Sequence, residues 1–288
     1  MQMPDSPKRL RSLLFAPASR PDVLAKLPRS SPDGVVLDLE DAVPADGKVD
    51  ARVHAREVGA QLAVEHPEMG VYVRVNAVPT EWFADDLADA LTDAHGGVVV
   101  PKIETPEQLD AVASHLARRG CGHLRVVVGI ETVLGVERVG ELLRPPVSVA
   151  YFGAEDYVAD LGGVRTESNT EVLYARSRVA LGARIAGVHS LDQVVTTFDD
   201  DDRFLADAEQ GRALGYRGKL CIHPAQVPLA NRAFSPSPEE LDRARRLLAA
   251  YDEASLRGQA AIAFEGQMVD EPLARQARAV LSAAEESG

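Results

Sequence analysis

Six apolar runs of this chain finish on polar residues that a hydrophobic core would not select. They are Asp38 and Glu40, Arg74 and Asn76, Lys102, Glu131, Glu155 and Asp156, and His223. The first run, "GVVLDLEDAV" at 34–43, ends in three carboxylates, Asp38, Glu40 and Asp41. Side chains alternate along a strand, so Asp38 and Glu40 share one side while Leu37 and Leu39 take the other. Like charges held together without a cation repel, and one of them is pushed to protonate. Ionised groups at such positions are costly unless they are paired or bound to metal. With Glu131 and Asp156 added to the trio, the carboxylates outnumber the cations available beside them, Arg74 and Lys102. A divalent cation would correct the imbalance. All the candidate ligands are oxygens, with no Cys cluster and no HExxH-type pair, so Mg²⁺ suits them better than zinc. Magnesium takes one or two carboxylates and keeps water or substrate in its other positions, so a pair such as Glu131 and Asp156 suffices.

Structural roles are open to the same residues. Glu131 and Asp156 could each begin a helix, where carboxylates are favoured. Lys102 reads better as a counter-ion than as a Schiff-base lysine, because the surrounding carboxylates resist any lowering of its pKa. His223, before Pro224, could be a hydrogen-bonded turn residue. His54, His66, His95, His115, His123 and His189 show no metal-ligand spacing and read as surface or core. The tetrad Asp199–Asp202 reads as a solvated helix start. No GxSxG, P-loop or GxGxxG occurs, which removes the main support for acyl-hydrolase, NTPase and dinucleotide readings.

The elements that must position these residues are legible as an alternation. Strand-like runs fall at 11–17, 34–40, 71–76, 96–102, 124–131, 147–156, more weakly 185–195, and 218–224. Helical patterns lie between them, at 48–65, 81–94, 106–118 and 171–186. Alternating units with near-continuous apolar strands imply a parallel sheet covered on both faces. Eight of them predict an α/β protein of the (β/α)8, or TIM, barrel type, with a doubly wound open sheet as the alternative. In a parallel barrel every carboxyl end opens on one face, so the polar ends would converge there. The barrel is expected over 1–235 and a C-terminal extension over 236–288. In the extension Ser237 and Glu240 form a capping box for a helix to about Leu256. Two short extended runs around Glu265-Gly266 follow, then a helix from near Pro272.

Composition narrows the function classes. The 288 residues are 45% hydrophobic and 26% charged, an ordinary soluble composition. A net charge of −13 argues against a nucleic-acid surface. It leaves room for an anionic small molecule, which needs only a few local Arg and Lys residues. Two cysteines make no disulfide framework, and no apolar run reaches the length of a membrane span. The expectation is a cytoplasmic protein.

The runs "RSLLFAPASRP", "VVLDLEDAV", "VRVN", "VVPKIET", "GIETVLGV", "GAEDYVADLGG" and "GKLCIHPAQV" occur in the order found in the citrate lyase β-subunit-like proteins. That group includes the malyl-CoA and citramalyl-CoA lyases of the HpcH/HpaI aldolase superfamily. The likeness spans roughly residues 9 to 235, with a weaker echo in "GQMVDEP". The resemblance implies a Mg²⁺-binding TIM barrel that cleaves or forms a carbon–carbon bond in a 3-hydroxyacyl-CoA thioester, releasing a 2-oxo acid. It makes Glu131 and Asp156 the metal ligands and gives Arg74 the carboxylate and carbonyl end of the 2-oxo acid. It makes Glu40 and Asp41 the acidic pair behind them, alongside Asp38 and Lys102. Phe15, Arg20, Lys26, Ile222 and His223 fall where relatives contact CoA. Asp270 falls where relatives present a catalytic acid/base to a neighbouring subunit, which implies a homotrimer or a multiple of it. Ala18-Ser19 departs from the Gly-Asn type of pair common in relatives. The basic residues Lys8, Arg9, Arg11, Arg20 and Lys26 favour a CoA tail over the rival reading of an aldolase acting on a free hydroxy-oxo acid. A further rival is a non-catalytic lyase subunit.

Overall fold

The computed structural model describes residues 9–285, so Lys8 lies outside the described residues. The chain divides into two compact units, Met1–Asn231 and Arg232–Gly288.

The first unit is a closed, all-parallel eight-stranded barrel with helices between its strands. Its strands are β1 (Ser12–Pro17), β2 (Gly34–Asp38), β3 (Gly70–Arg74), β4 (Gly97–Val100), β5 (Arg125–Ile130), β6 (Val147–Phe152), β7 (His189–Asp192) and β8 (Gly218–Cys221). β8 pairs with β1 to close the ring. The weak run at 185–195 is therefore a barrel strand, shortened to four residues. Leu13, Val36, Tyr72, Val99, Val127, Val149, Tyr151, Leu191 and Leu220 pack together as one apolar cluster. Two-residue alternation carries that inner row up β1, β2, β3 and β5 to Phe15, Asp38, Arg74 and Gly129, and past the end of β8 to Ile222. Asp38 and Arg74 are cross-strand partners in the β2–β3 register.

Local signals explain where the helices begin and end. Lys48–Glu65 and Pro106–Arg118 match the predicted spans, the second opened by Thr105 and Gln108 in a capping box with Pro106 in the first turn. The predicted helix at 81–94 is only Phe83–Asp89, because a turn in which the Thr92 N–H donates to His95 Nδ1 at 3.0 Å follows it. The expected helix start at Asp199–Asp202 is found, with the Asp200 side chain accepting from the Arg203 N–H. Behind β7 and β8 lies a buried ionic cluster that the sequence does not announce. Arg176 pairs with Asp192, and Lys219 lies against Asp192 and Asp207. These charges tie helices Leu173–Ala186 and Asp201–Leu214 to the outside of the barrel.

The second unit holds a helix, Pro238–Leu256, whose Ser237–Glu240 capping box is formed as expected. The hairpin β9 (Ile262–Phe264) and β10 (Gln267–Val269) turns at Glu265 and Gly266, both at positive φ, 48° and 77°. The helix Glu271–Glu285 follows. Leu247, Tyr251, Val269, Ala274 and Ala277 form its own small core. Asp270 is the residue before the last helix, and its carbonyl accepts from the Ala274 N–H at 3.0 Å.

Candidate active site

The acidic end of β2 is neutralised chiefly by its neighbours in the barrel. Arg74 donates from Nε and Nη2 to the two oxygens of Asp38 at 2.6 and 2.7 Å, a two-pronged pair. Its Nη1 stands 2.8 Å from Glu40 Oε2, outside hydrogen-bonding alignment, so this contact is an ion pair and the buried oxygen keeps an unused lone pair. Lys102 Nζ completes the group at 2.6 Å from Glu40 and 3.5 Å from Asp41. Burial opposes the charge on Arg74, but Asp38 and then Glu40 outweigh it and raise its pKa. Burial raises Glu40 by more than Arg74 and Lys102 lower it. Burial likewise opposes the Lys102 ammonium, and Glu40, Glu131 and Asp156 together overcome it and raise that pKa.

A third cation, Lys48, lies behind this turn. Lys48 donates to the carbonyls of Leu39 and Glu40 at 2.8 and 3.1 Å and to Asn76 Oδ1 at 2.8 Å. Asn76 in turn donates to the Leu39 carbonyl and to Asp86. Asn76 thus holds the loops beside the site, and its polarity at a strand end has a structural cause.

Glu131 follows β5 and is 2% exposed. It does not cap the next helix. Thr132 does, its side chain accepting from the Gly135 N–H. The Glu131 carboxylate points instead into the barrel mouth, where Oε1 accepts from the Lys102 N–H at 2.9 Å and from the Tyr151 hydroxyl at 3.0 Å. Lys102 reaches it from the left-handed region, at φ 51°, an uncommon state for a residue with a Cβ. Gly129 and Gly153 leave the space that the carboxylate fills. A Cβ on Gly153 would lie 2.2 Å from Glu131 Oε2, and one on Gly129 would lie 2.6 Å from Oε1. Burial, then the neighbouring Glu40, push the Glu131 pKa up to about 7 against the pull of Arg74.

Asp156 sits in the first turn of helix Ala154–Leu161, so it does begin a helix and faces the mouth as well. Its neighbour Glu155 is paired with Arg165 at 2.9 Å, while Asp156 lies 3.5 Å from the Lys102 ammonium. Asp38, Asp41, Arg74, Glu131 and Asp156 share the lining of one cavity of about 450 Å³, with Phe15, Tyr151 and Ile222 on its apolar side.

Other expected residues stand elsewhere. Arg20 pairs with Asp22 at 2.9 Å, and Lys26 lies 3.8 Å from the same carboxylate. Both are exposed on the segment after β1 and do not line the cavity. His223 stacks on Phe198 with ring centroids 5.1 Å apart, just outside the lining. Arg9 and Arg11 stand far from the mouth. They precede β1 and lie against Asp33 at the amino-terminal end of the barrel, 3.4 and 2.8 Å away. A six-residue strand spans about 20 Å, so these two cannot reach a ligand at the mouth. Asp270 belongs to the second unit, in the position already given.

The donor set fits a small hard cation. Among the described residues no group of three His, Cys, Asp or Glu side chains could hold a metal, so a closed protein cage is absent. Two carboxylates, Glu131 and Asp156, open to one cavity match an ion that completes its shell with water and substrate oxygens. A buried carboxyl titrating near neutrality is also what a nearby divalent charge would restore to the ionised form.

A closed parallel barrel whose polar residues gather at the carboxyl ends of its strands belongs to the class of (β/α)8 enzymes with their site on that face. More narrowly, the chain belongs to the HpcH/HpaI aldolase/citrate lyase family, whose model matches residues 11–224. A citrate lyase subunit beta-like protein of Deinococcus radiodurans is 53% identical over 96% of this chain and 98% of its own length. The human mitochondrial citramalyl-CoA lyase is 30% identical over 93% of this chain and 83% of its own length. Among solved structures, the CitE protein of Mycobacterium tuberculosis in complex with magnesium, acetoacetate and coenzyme A is similar at TM-score 0.81 and 32% identity. That likeness covers 95% of this chain and 97% of that one. Among the described residues no helix is long and apolar enough to cross a membrane.

Proposed function

We propose that this protein is a Mg²⁺-dependent carbon–carbon lyase. It cleaves or forms a 3-hydroxyacyl-CoA such as malyl-CoA or citramalyl-CoA, the cleavage products being acetyl-CoA and a 2-oxo acid. The observation that carries the reading is the buried Glu131. It is held on one oxygen by Lys102 N–H and Tyr151 and shares a cavity with Asp156 and Arg74. Glu131 and Asp156 would hold the Mg²⁺, which when bound supplies Lewis-acid stabilisation of the oxygen that becomes the product carbonyl.

The chain's own groups divide the remaining work. Arg74, already fixed by Asp38, offers its other N–H bonds to the substrate carboxylate and neutralises charge there. Glu40 and Asp41 keep water ordered behind the site, with Lys102 as their counter-ion. Phe15 and Ile222, on the cavity wall, and Arg20, Lys26 and His223, outside it, are the residues proposed to contact CoA. Asp270 of a neighbouring subunit takes the hydroxyl proton as the C–C bond breaks and returns a proton to the enolate carbon of acetyl-CoA. This last role requires a homo-oligomer, a trimer or a multiple of it. The extension beyond the barrel is proposed to contact that neighbour.

The test is turnover of malyl-CoA and citramalyl-CoA by the purified protein with and without Mg²⁺, following acetyl-CoA and the 2-oxo acid. Glu131→Ala and Asp156→Ala should each abolish the Mg²⁺-dependent reaction and leave the folded circular-dichroism spectrum intact. Wild-type turnover by either variant would remove the metal assignment. Turnover of a free hydroxy-oxo acid without CoA would favour an aldolase instead.

A further inference from the structure

Among the described residues, both hydrogen bonds to the Glu131 carboxylate fall on Oε1. The Lys102 N–H donates at 2.9 Å and the Tyr151 hydroxyl at 3.0 Å. Tyr151 is an inward residue of β6, 2% exposed, with its ring edge against Phe15 at a centroid distance of 6.4 Å. Phe15 in turn lies under the Arg74 guanidinium, 5.2 Å from its carbon. The tyrosine is therefore not free to swing. Gly129 makes its close approach possible, since a Cβ there would lie 2.3 Å from the Tyr151 oxygen.

We propose that Tyr151 is a positioning residue that occupies Oε1, makes Glu131 a one-oxygen ligand through Oε2, and so favours Mg²⁺ over the larger Ca²⁺. The inference rests on the reading of Glu131 as a metal ligand. Magnesium demands a compact octahedron and takes its carboxylates through single oxygens. Calcium accepts more oxygens in a looser shell and readily takes both oxygens of one carboxylate. A carboxylate with one oxygen already satisfied by two donors suits the first ion and handicaps the second. Outer groups that orient a ligand are commonly worth 10–100-fold in metal affinity.

The test is calorimetric titration of the full-length parent, Tyr151→Phe, Tyr151→Leu and Glu131→Ala with MgCl₂ and with CaCl₂, with no substrate present. Tyr151→Phe keeps the ring and loses only the hydroxyl. It should weaken Mg²⁺ by about 10–100-fold, leave Ca²⁺ unchanged or tighter, and so collapse the Mg²⁺/Ca²⁺ ratio. Tyr151→Leu also loses the ring packing, yet it should give the same ratio, because the hydroxyl carries the effect. Thermal melts establish that the variants compared are folded. If Glu131→Ala loses Mg²⁺ binding while Tyr151→Phe keeps the parent's ratio, this inference is overturned and the metal reading stands. If the parent binds no Mg²⁺, or Glu131→Ala binds it as the parent does, the metal reading fails and takes this inference with it.

Discussion

Gly153→Ala adds one methyl group to the loop between β6 and the helix that carries Asp156. The added Cβ would stand 2.2 Å from Glu131 Oε2 and 2.5 Å from the Glu131 Cβ, where ordinary contact begins at 3.4 Å. Relief requires the carboxylate oxygen to retreat by about 1.2 Å and the Cβ by about 0.9 Å, the differences between those distances. Side-chain rotation alone cannot provide the second movement, because a Cβ moves only with its backbone. The backbone is also constrained, since the Gly153 N–H donates to the Ile130 carbonyl at 3.2 Å, joining the ends of β5 and β6. Overpacking of this kind costs about 1–3 kcal/mol, too little to unfold a domain whose stability is typically about 5–15 kcal/mol. A misplacement of about 1 Å at a reacting centre can cost on the order of 10²-fold in rate. The expected outcome is a folded protein with lyase turnover and Mg²⁺ affinity each reduced by roughly two orders of magnitude. Acetyl-CoA release measures the first and calorimetry the second. Gly140→Ala is the control, because a Cβ there meets nothing within 4 Å. Parent-like turnover and Mg²⁺ affinity in Gly153→Ala would refute the claim that Glu131 is held in place by the space this glycine leaves.

Arg74→Lys should impair turnover nearly as much as Arg74→Ala, because one ammonium cannot reproduce the paired bonds to Asp38 and the contact to Glu40. Recovery of most activity with lysine would rule out two-pronged geometry as the requirement. His189 is buried, and burial followed by the nearby Arg217 lowers its pKa from 6.5 to about 4. The unfolded chain therefore takes up this proton first as pH falls. The associated stability, roughly 3 kcal/mol, is fully present above about pH 6.5 and is lost as pH drops towards 4. Urea unfolding of the parent and of His189→Asn across that window checks this, and parallel pH profiles would contradict it. Mixing Asp270→Ala chains with Arg74→Ala chains should recover part of the activity if Asp270 serves a neighbour's site, since some sites then combine intact halves. No recovery in confirmed mixed oligomers would confine Asp270 to its own subunit.

The sequence by itself limited the architecture to a parallel α/β sheet, closed or doubly wound, and the pairing of β8 with β1 decided for the closed ring. Eight apolar runs alternating with helical ones leave a parallel closed sheet as a natural way to bury every strand, and the polar residues ending those runs must then meet on one face. Asp38, Arg74, Lys102, Glu131 and Asp156 were legible because each stands at or just beyond the carboxyl end of an apolar run, and the direction of a strand is a local property of the chain. Strand direction also separates Arg9 and Arg11 from the mouth by the whole length of β1, although in the sequence they read as cations close to the site. Other features existed only once the ring had closed. The donation of Tyr151 to Glu131 joins neighbouring strands, and Tyr151 in sequence reads as one more apolar strand residue. Lys48 looks like an ordinary surface position in an amphipathic helix until its ammonium reaches the carbonyls of Leu39 and Glu40. Gly129 and Gly153 carry no signal of their own, because their purpose is the volume of a side chain elsewhere. Packing across strands depends on register and volume at distances of a few ångströms, and those are fixed by the whole barrel rather than by any stretch of its sequence.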